Sequence, residues 1–104
     1  MREKIESYLG FAKKAGKLAV GTDTCIRLME KRKIKLLIIA SDLAVNSGKK
    51  ILIKAENNKV PYRVFSTKEE LSIITGERLS GVFGITDENF AASILGELAK
   101  KEER

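Results

Sequence analysis

Histidine is absent from this chain, which removes the commonest catalytic base, the commonest metal ligand and any histidine-based response to pH. The one cysteine, Cys25, excludes an internal disulfide. Set among Ile26, Leu28 and Met29, it reads as a small core residue rather than a nucleophile. No apolar run approaches the roughly 18 residues of a membrane span; the longest is Leu36 to Ala40. The opening MREKIESYLGF lacks the apolar block of a secretory signal, so a cytoplasmic protein without membrane contact is expected. Glycines 76, 81 and 84 match neither the phosphate loop nor the dinucleotide fingerprint, so no nucleotide cofactor is expected, and with the commonest metal ligand missing no metal is expected either. With no nucleophile and base pair in sight, the expectation is a protein that binds rather than catalyses.

What the chain does have is positive charge. Its 104 residues suit one domain, 1–104, and carry 20 Lys and Arg against 14 Asp and Glu, a formal net charge of +6. That excess is what a phosphate-binding surface requires, although solubility alone also accounts for charge of this size.

Apolar periodicity gives the elements. Ile5, Tyr8, Leu9, Ala12 and Ala15 predict a first helix over 2–15, which Gly16 stops in a left-handed conformation. Residues 17–20 form a short extended segment, and Thr22 and Asp23 offer N-cap chemistry to a second helix. Residues 34–40 read as a strand buried on both faces. Ser41 and Asp42 are expected to cap a third helix reaching Ala55. Val60 to Phe65 alternates around the only proline, Pro61, and so reads as a strand whose first residues lack full ladder bonding, with the proline suiting an outer strand or a strand start. Thr67 to Glu70 is a capping box for a fourth helix that ends at Gly76. Val82 to Thr86 is a further strand, and Asp87 caps a last helix whose apolar face is Phe90, Ala91, Ile94, Leu95 and Leu98, with the final KKEER left to fray. Helices alternating with strands predict an α/β fold, a three-layer α/β/α sandwich around a mixed four-stranded sheet.

The cations cluster around the second helix. Lys13, Lys14 and Lys17 precede Gly21, Arg27 lies inside the helix, and Lys31, Arg32, Lys33 and Lys35 follow its end. A helix N-terminus presents free amides and a positive dipole end, so the turn from Gly21 to Thr24 is a candidate surface for phosphates or base edges, with lysines at its rim. The group from Lys31 to Lys35 is read instead as serving the helix C-terminal dipole and solvent.

Four segments, AKKAGKLAVGTDTCIR, LLIIASD, VPYRVFSTKEEL and VFGITDENFA, together resemble the archaeal ribosomal protein L7Ae and L30e family, most closely its small bacterial members, over essentially the whole chain. The resemblance implies the same α/β/α fold and a role in binding structured RNA, ribosomal RNA included, at a kink-turn or a similarly bulged helix. In that family a lysine-rich turn leads into Gly-Thr-Asn-Glu-x-x-Lys, which enters the widened groove beside tandem sheared G·A pairs. By position, Gly21 and Thr22 match the Gly-Thr, Asp23 stands at the Asn, Thr24 at the Glu and Arg27 at the Lys. Arg27 suits guanine O6 and N7. Asp23 departs from the pattern, because a carboxylate only accepts hydrogen bonds where Asn could also donate. The family's second contact, an apolar side chain packed on a flipped-out nucleotide, falls here on the loop 76–80. There Arg78 is the expected phosphate partner, Ser80 adjoins it, and Leu79 is either the platform or the start of a core strand. The RNA-contacting set implied is thus Lys14, Lys17, Gly21, Thr22, Asp23, Thr24, Arg27, Arg78, Leu79 and Ser80, on a monomer acting on the ribosome or in RNA assembly. The competing expectation is a domain of the same fold that binds protein or generic structured RNA, with Asp23 marking lost kink-turn specificity.

Overall fold

The alternation of residues along the two central strands decides how this chain layers. The computed structural model describes residues 2–102, with side chains as far as Lys100. Strands β2 (Leu36–Ile39) and β4 (Val82–Ile85) are buried throughout, and successive side chains leave opposite faces. Leu36 and Ile38 enter one core with Phe83 and Ile85, whereas Leu37 and Ile39 enter a second core with Val82. Helices α1 (Arg2–Lys14), α4 (Lys68–Thr75) and α5 (Glu88–Glu102) close the first core through Ile5, Leu9, Leu71 and Ile94. Helices α2 (Thr22–Glu30) and α3 (Val45–Asn57) close the second through Cys25, Met29, Ile51 and Ala55. This is the expected three-layer α/β/α sandwich.

Its sheet is mixed and four-stranded in the order β1-β4-β2-β3, with β1 at Leu18–Val20 and β3 at Tyr62–Val64. β2 and β3 pair in parallel, joined by the α3 crossover, while β4 runs antiparallel to both β1 and β2. Pro61 sits just before edge strand β3, where its missing N–H interrupts no ladder, and its carbonyl accepts from the Leu37 amide at 2.9 Å.

Several predicted punctuation marks hold. Gly16 and Gly76 both adopt φ of 71° after their helices. Thr67 Oγ1 accepts the Glu70 amide at 3.2 Å, and Asp87 Oδ2 accepts that of Phe90 at 2.9 Å. The Glu70 carboxylate accepts from the Ser66 hydroxyl at 2.7 Å and meets Arg2 at 3.1 Å. These partners, the Ser66 hydrogen bond first, hold its pKa below the ordinary value.

Two expected caps are corrected. α3 does not begin at Ser41 and Asp42; it begins at Val45, after Ala44, with no side-chain cap. Ser41 and Asp42 are committed elsewhere, to the loop that follows β3. The Ser41 amide donates to the Ser66 carbonyl at 2.8 Å, and Asp42 Oδ1 accepts the Lys68 amide at 2.9 Å. Asp42 thus caps α4, a helix distant in sequence, because the parallel β2–β3 pairing brings the two strand ends together. Likewise α2 is preceded by Gly21 with no side-chain cap, so neither Thr22 nor Asp23 fills that role. At the other terminus α5 continues through Glu102, into the tail expected to fray, and Glu103 and Arg104 lie outside the described residues.

Candidate nucleic-acid interface

The β1–α2 junction must turn from strand to helix within one residue, and Gly21 does this with φ 102° and ψ 150°, a conformation that side chains disfavour. Its amide donates to the Val82 carbonyl at 2.9 Å, which pins the junction to the start of β4. The loop between α4 and β4 then closes over the same point. Arg78 Nη2 donates to the Val20 carbonyl at 3.2 Å, and a Cβ on Gly21 would stand 2.7 Å from that nitrogen. Gly21 is therefore required twice, for the backbone turn and for the approach of the guanidinium. Val20 has no part in the sequence expectation, since a carbonyl acceptor leaves no mark in residue type.

That contact joins two segments far apart in sequence into one surface. Leu79 is 64% exposed, which removes the alternative that it begins the core strand. Ser80 Oγ bonds the Val82 amide and carbonyl, both at 3.3 Å, and shapes the entry to β4. Glu77 in the same loop pairs with Lys13 at the end of α1. Lys13 is thereby occupied, and neighbouring Lys14 is left exposed beside it.

Along α2 the burial of Cys25, Ile26 and Met29 turns Thr24 and Arg27 outward, and Lys31 continues that line as the exposed C-cap. Asp23 leans toward α3, where its Oδ1 meets Lys50 Nζ at 3.1 Å, and Glu30 meets Lys54 at 3.3 Å. Both pairs are on the surface, so each contributes little to stability. Arg27 has no acidic partner among the described residues and stands free between them. The first turn of α2 is partly open to solvent: Asp23 is exposed, Gly21, Thr22 and Thr24 are half-buried, and Arg27 one turn further on is exposed.

Lys17 is placed differently from the expected rim. Its carbonyl accepts the Thr86 amide at 3.0 Å, at the end of β4, whereas Gly21 bonds to Val82 at its start. The two therefore lie at opposite ends of β1, on the order of 13 Å apart at about 3.3 Å per residue. The structure thus gathers Gly21, Thr22, Thr24, Arg27, Arg78, Leu79 and Ser80, sets Asp23 at their edge against Lys50, and moves Lys17 away.

Cys25 is fully buried beneath this helix, and burial pushes its thiol up to about 12. It stays protonated, packed against the Gly84 backbone, and the nearby helix N-terminus does not activate it. A hollow of about 400 Å³ between α1 and α5, lined by Tyr8, Phe11, Asp87, Asn89, Phe90 and Ser93, contains none of the expected residues. A duplex is met by a surface, so that hollow does not compete with the α2 turn as its site.

Known proteins share both the pattern and the shape. The chain is 35% identical to the RNA-binding protein YlxQ of Enterococcus faecium, over 86% of each chain. It is 30% identical to the RNA-binding protein YlxQ of Bacillus subtilis (strain 168), over 84% of this chain and 87% of that one. A structure of a Bacillus halodurans protein of unknown function superposes with a TM-score of 0.88 at 25% identity, covering 92% of this chain and 97% of that one. The Giardia lamblia 15.5kD RNA binding protein shares the fold at a TM-score of 0.79 and 20% identity, over 94% and 86% of the two chains. With residues 3–101 matching it, the chain belongs to the Ribosomal protein L7Ae/L30e/S12e/Gadd45 family.

Proposed function

We propose that this chain is a non-catalytic RNA-binding protein whose α2 N-terminus and α4–β4 loop together grip a kinked or bulged RNA helix, with the kink-turn as preferred target. The observation that carries the reading is the Arg78 to Val20 hydrogen bond, which locks the two elements side by side at a partly exposed helix start. In the distorted groove the backbone at Gly21 approaches closely, Arg27 donates to guanine O6 and N7, and Leu79 carries an unstacked base. Arg78 keeps one nitrogen on Val20 and has further donors for phosphate. A place on the ribosome or in RNA assembly, with ribosomal RNA among the partners, follows from the same reading.

Asp23 supports a second reading, structured RNA without kink-turn preference. Its carboxylate is 88% exposed beside the contact turn and repels phosphates. A gel-shift comparison of a kink-turn duplex with one lacking the G·A pairs separates the two. Preferential binding of the intact kink-turn, lost on Arg27→Ala at about 1–3 kcal/mol, supports the first. Equal binding of both duplexes supports the second.

A further inference from the structure

Five cations without an acidic partner among the described residues, Lys31, Arg32, Lys33, Lys35 and Lys59, gather beyond the C-terminus of α2, at the end of the sheet opposite Gly21. Three adjoining hollows there share Arg32. One of about 350 Å³ also takes Lys35, Asn58 and Lys59, one of about 370 Å³ takes Lys33, Lys35 and Thr86, and one of about 170 Å³ takes Asn57, Asn58 and Lys59. The end of β4 ties this region together, because the Ile85 carbonyl accepts the Lys35 amide at 2.7 Å and the Thr86 amide donates to the Lys17 carbonyl at 3.0 Å. Lys17, displaced from the Gly21 turn, adjoins this basic end.

Backbone strain adds an independent observation. α1, α2 and α3 all end in the same motif, in which two successive amides fold back onto the last turn. The bonds are Gly16 to Lys13 and Lys17 to Ala12, Arg32 to Met29 and Lys33 to Leu28, and Lys59 to Glu56 and Val60 to Ala55. The motif needs a left-handed residue, ordinarily glycine, and α1 supplies Gly16. α2 and α3 instead place Arg32 at φ 61° and Lys59 at φ 57°. A helix dipole is served by a cation anywhere in the last turn and does not require one in this disfavoured conformation. Both strained cations line the same group of hollows.

We infer that Arg32, Lys33, Lys35 and Lys59 form a second RNA contact, a sequence-independent surface for the phosphate backbone of the duplex flanking the distorted site. Thr24 and Arg27 on the outward face of α2, with Lys31 at its C-cap, connect it to the Gly21 turn. At 1.5 Å per residue that helix spans roughly 14 Å, so one regular duplex arm reaches both ends. Asn and Thr donors among the cations suit phosphate oxygens. The inference rests on the RNA-binding reading but not on kink-turn preference.

The test uses the full chain and a plain RNA duplex of about 16 base pairs, the span that double-stranded RNA readers cover. The Arg32→Gly/Lys59→Gly variant relieves both strained positions, so its melting temperature is expected to match or exceed that of the parent. Its affinity for the plain duplex is expected to fall about tenfold, with the salt slope flattened by close to two units. Lys33→Gln/Lys35→Gln, which leaves both helix ends intact, is expected to do the same. Unaltered affinity and slope in both double variants would overturn the inference, as would a parent that binds phosphatidylserine vesicles and not the duplex. Loss of kink-turn discrimination in the parent, with the duplex results intact, would sink the proposed preference and leave this surface standing.

Discussion

Replacing Gly21 by alanine perturbs the strand-to-helix junction in two separable ways. The backbone there, at φ 102° and ψ 150°, lies in a region populated almost only by glycine, and forcing a Cβ into it costs ~1–3 kcal/mol. The new Cβ also stands 2.7 Å from Arg78 Nη2. That atom is the tip of a flexible side chain and can swing away, giving up its bond to Val20, a net loss of ~0.5–1.5 kcal/mol. The backbone term therefore dominates stability, while the displaced guanidinium dominates RNA binding. For a domain of this size the combined loss lowers the melting temperature by roughly 5–20 °C. Urea unfolding followed by circular dichroism measures it, and a double-mutant cycle with Arg78→Ala divides it. Gly21→Ala should remain nearly as destabilising in the Arg78→Ala background. If the cost disappears there, the steric contact and not the backbone governs the junction. If Gly21→Ala is neutral in the parent, the junction reasoning fails altogether.

Asp42→Ala removes the cap that one loop gives to α4, and stability should fall by about 1 kcal/mol in the same unfolding assay. Gly84→Ala would set a Cβ 2.6 Å from Ile34 Cδ1 and 3.2 Å from Cys25 Sγ, an overpacking expected to cost ~1–3 kcal/mol by thermal melting. Because the folded Cys25 thiol lies near 12 against 9.0, its contribution is fully present below pH 9.0 and is lost as pH rises toward 12, by up to ~1.4 kcal/mol per pH unit. Stability of the parent should therefore fall more steeply above pH 9.0 than that of Cys25→Ala, and thiol reagents should label the parent only on unfolding. Asp23→Asn breaks an exposed pair with Lys50 and should shift stability by under ~1 kcal/mol. It should raise kink-turn affinity in a filter-binding titration, and a fall would reveal a contact made by the carboxylate.

The layers were legible in the sequence because burial writes itself as period. The unbroken apolar run Leu36 to Ala40 can only be a strand covered on both faces, and Ile5, Leu9 and Ala12 can only be one stripe of a helix. Left-handed stops at Gly16 and Gly76 were legible for the same reason, a residue type tied to one conformation. Asp42 was not, because a capping carboxylate looks the same whether it serves the next helix or one brought near by strand pairing. Asp23 misled in a similar way: it stands where a cap belongs, and only the packing of α3 on α2 turns it toward Lys50. For the candidate interface, residue types pointed to the turn from Gly21 to Thr24 and to Arg27, while Arg78 came from the family resemblance alone. What joins them, a guanidinium on the Val20 carbonyl, is a tertiary contact without a local signature. Arg32 and Lys59 were hidden too, since a left-handed cation resembles any other surface cation until its φ is known.

Where RNA touches the chain is read out residue by residue by amide chemical-shift mapping during titration with a kink-turn duplex. The largest shifts are predicted at Gly21, Thr22, Thr24, Arg27, Arg78 and Leu79. Shifts confined to the hollow between α1 and α5, at Phe11, Asn89 and Ser93, with the α2 turn unmoved, would contradict this placement.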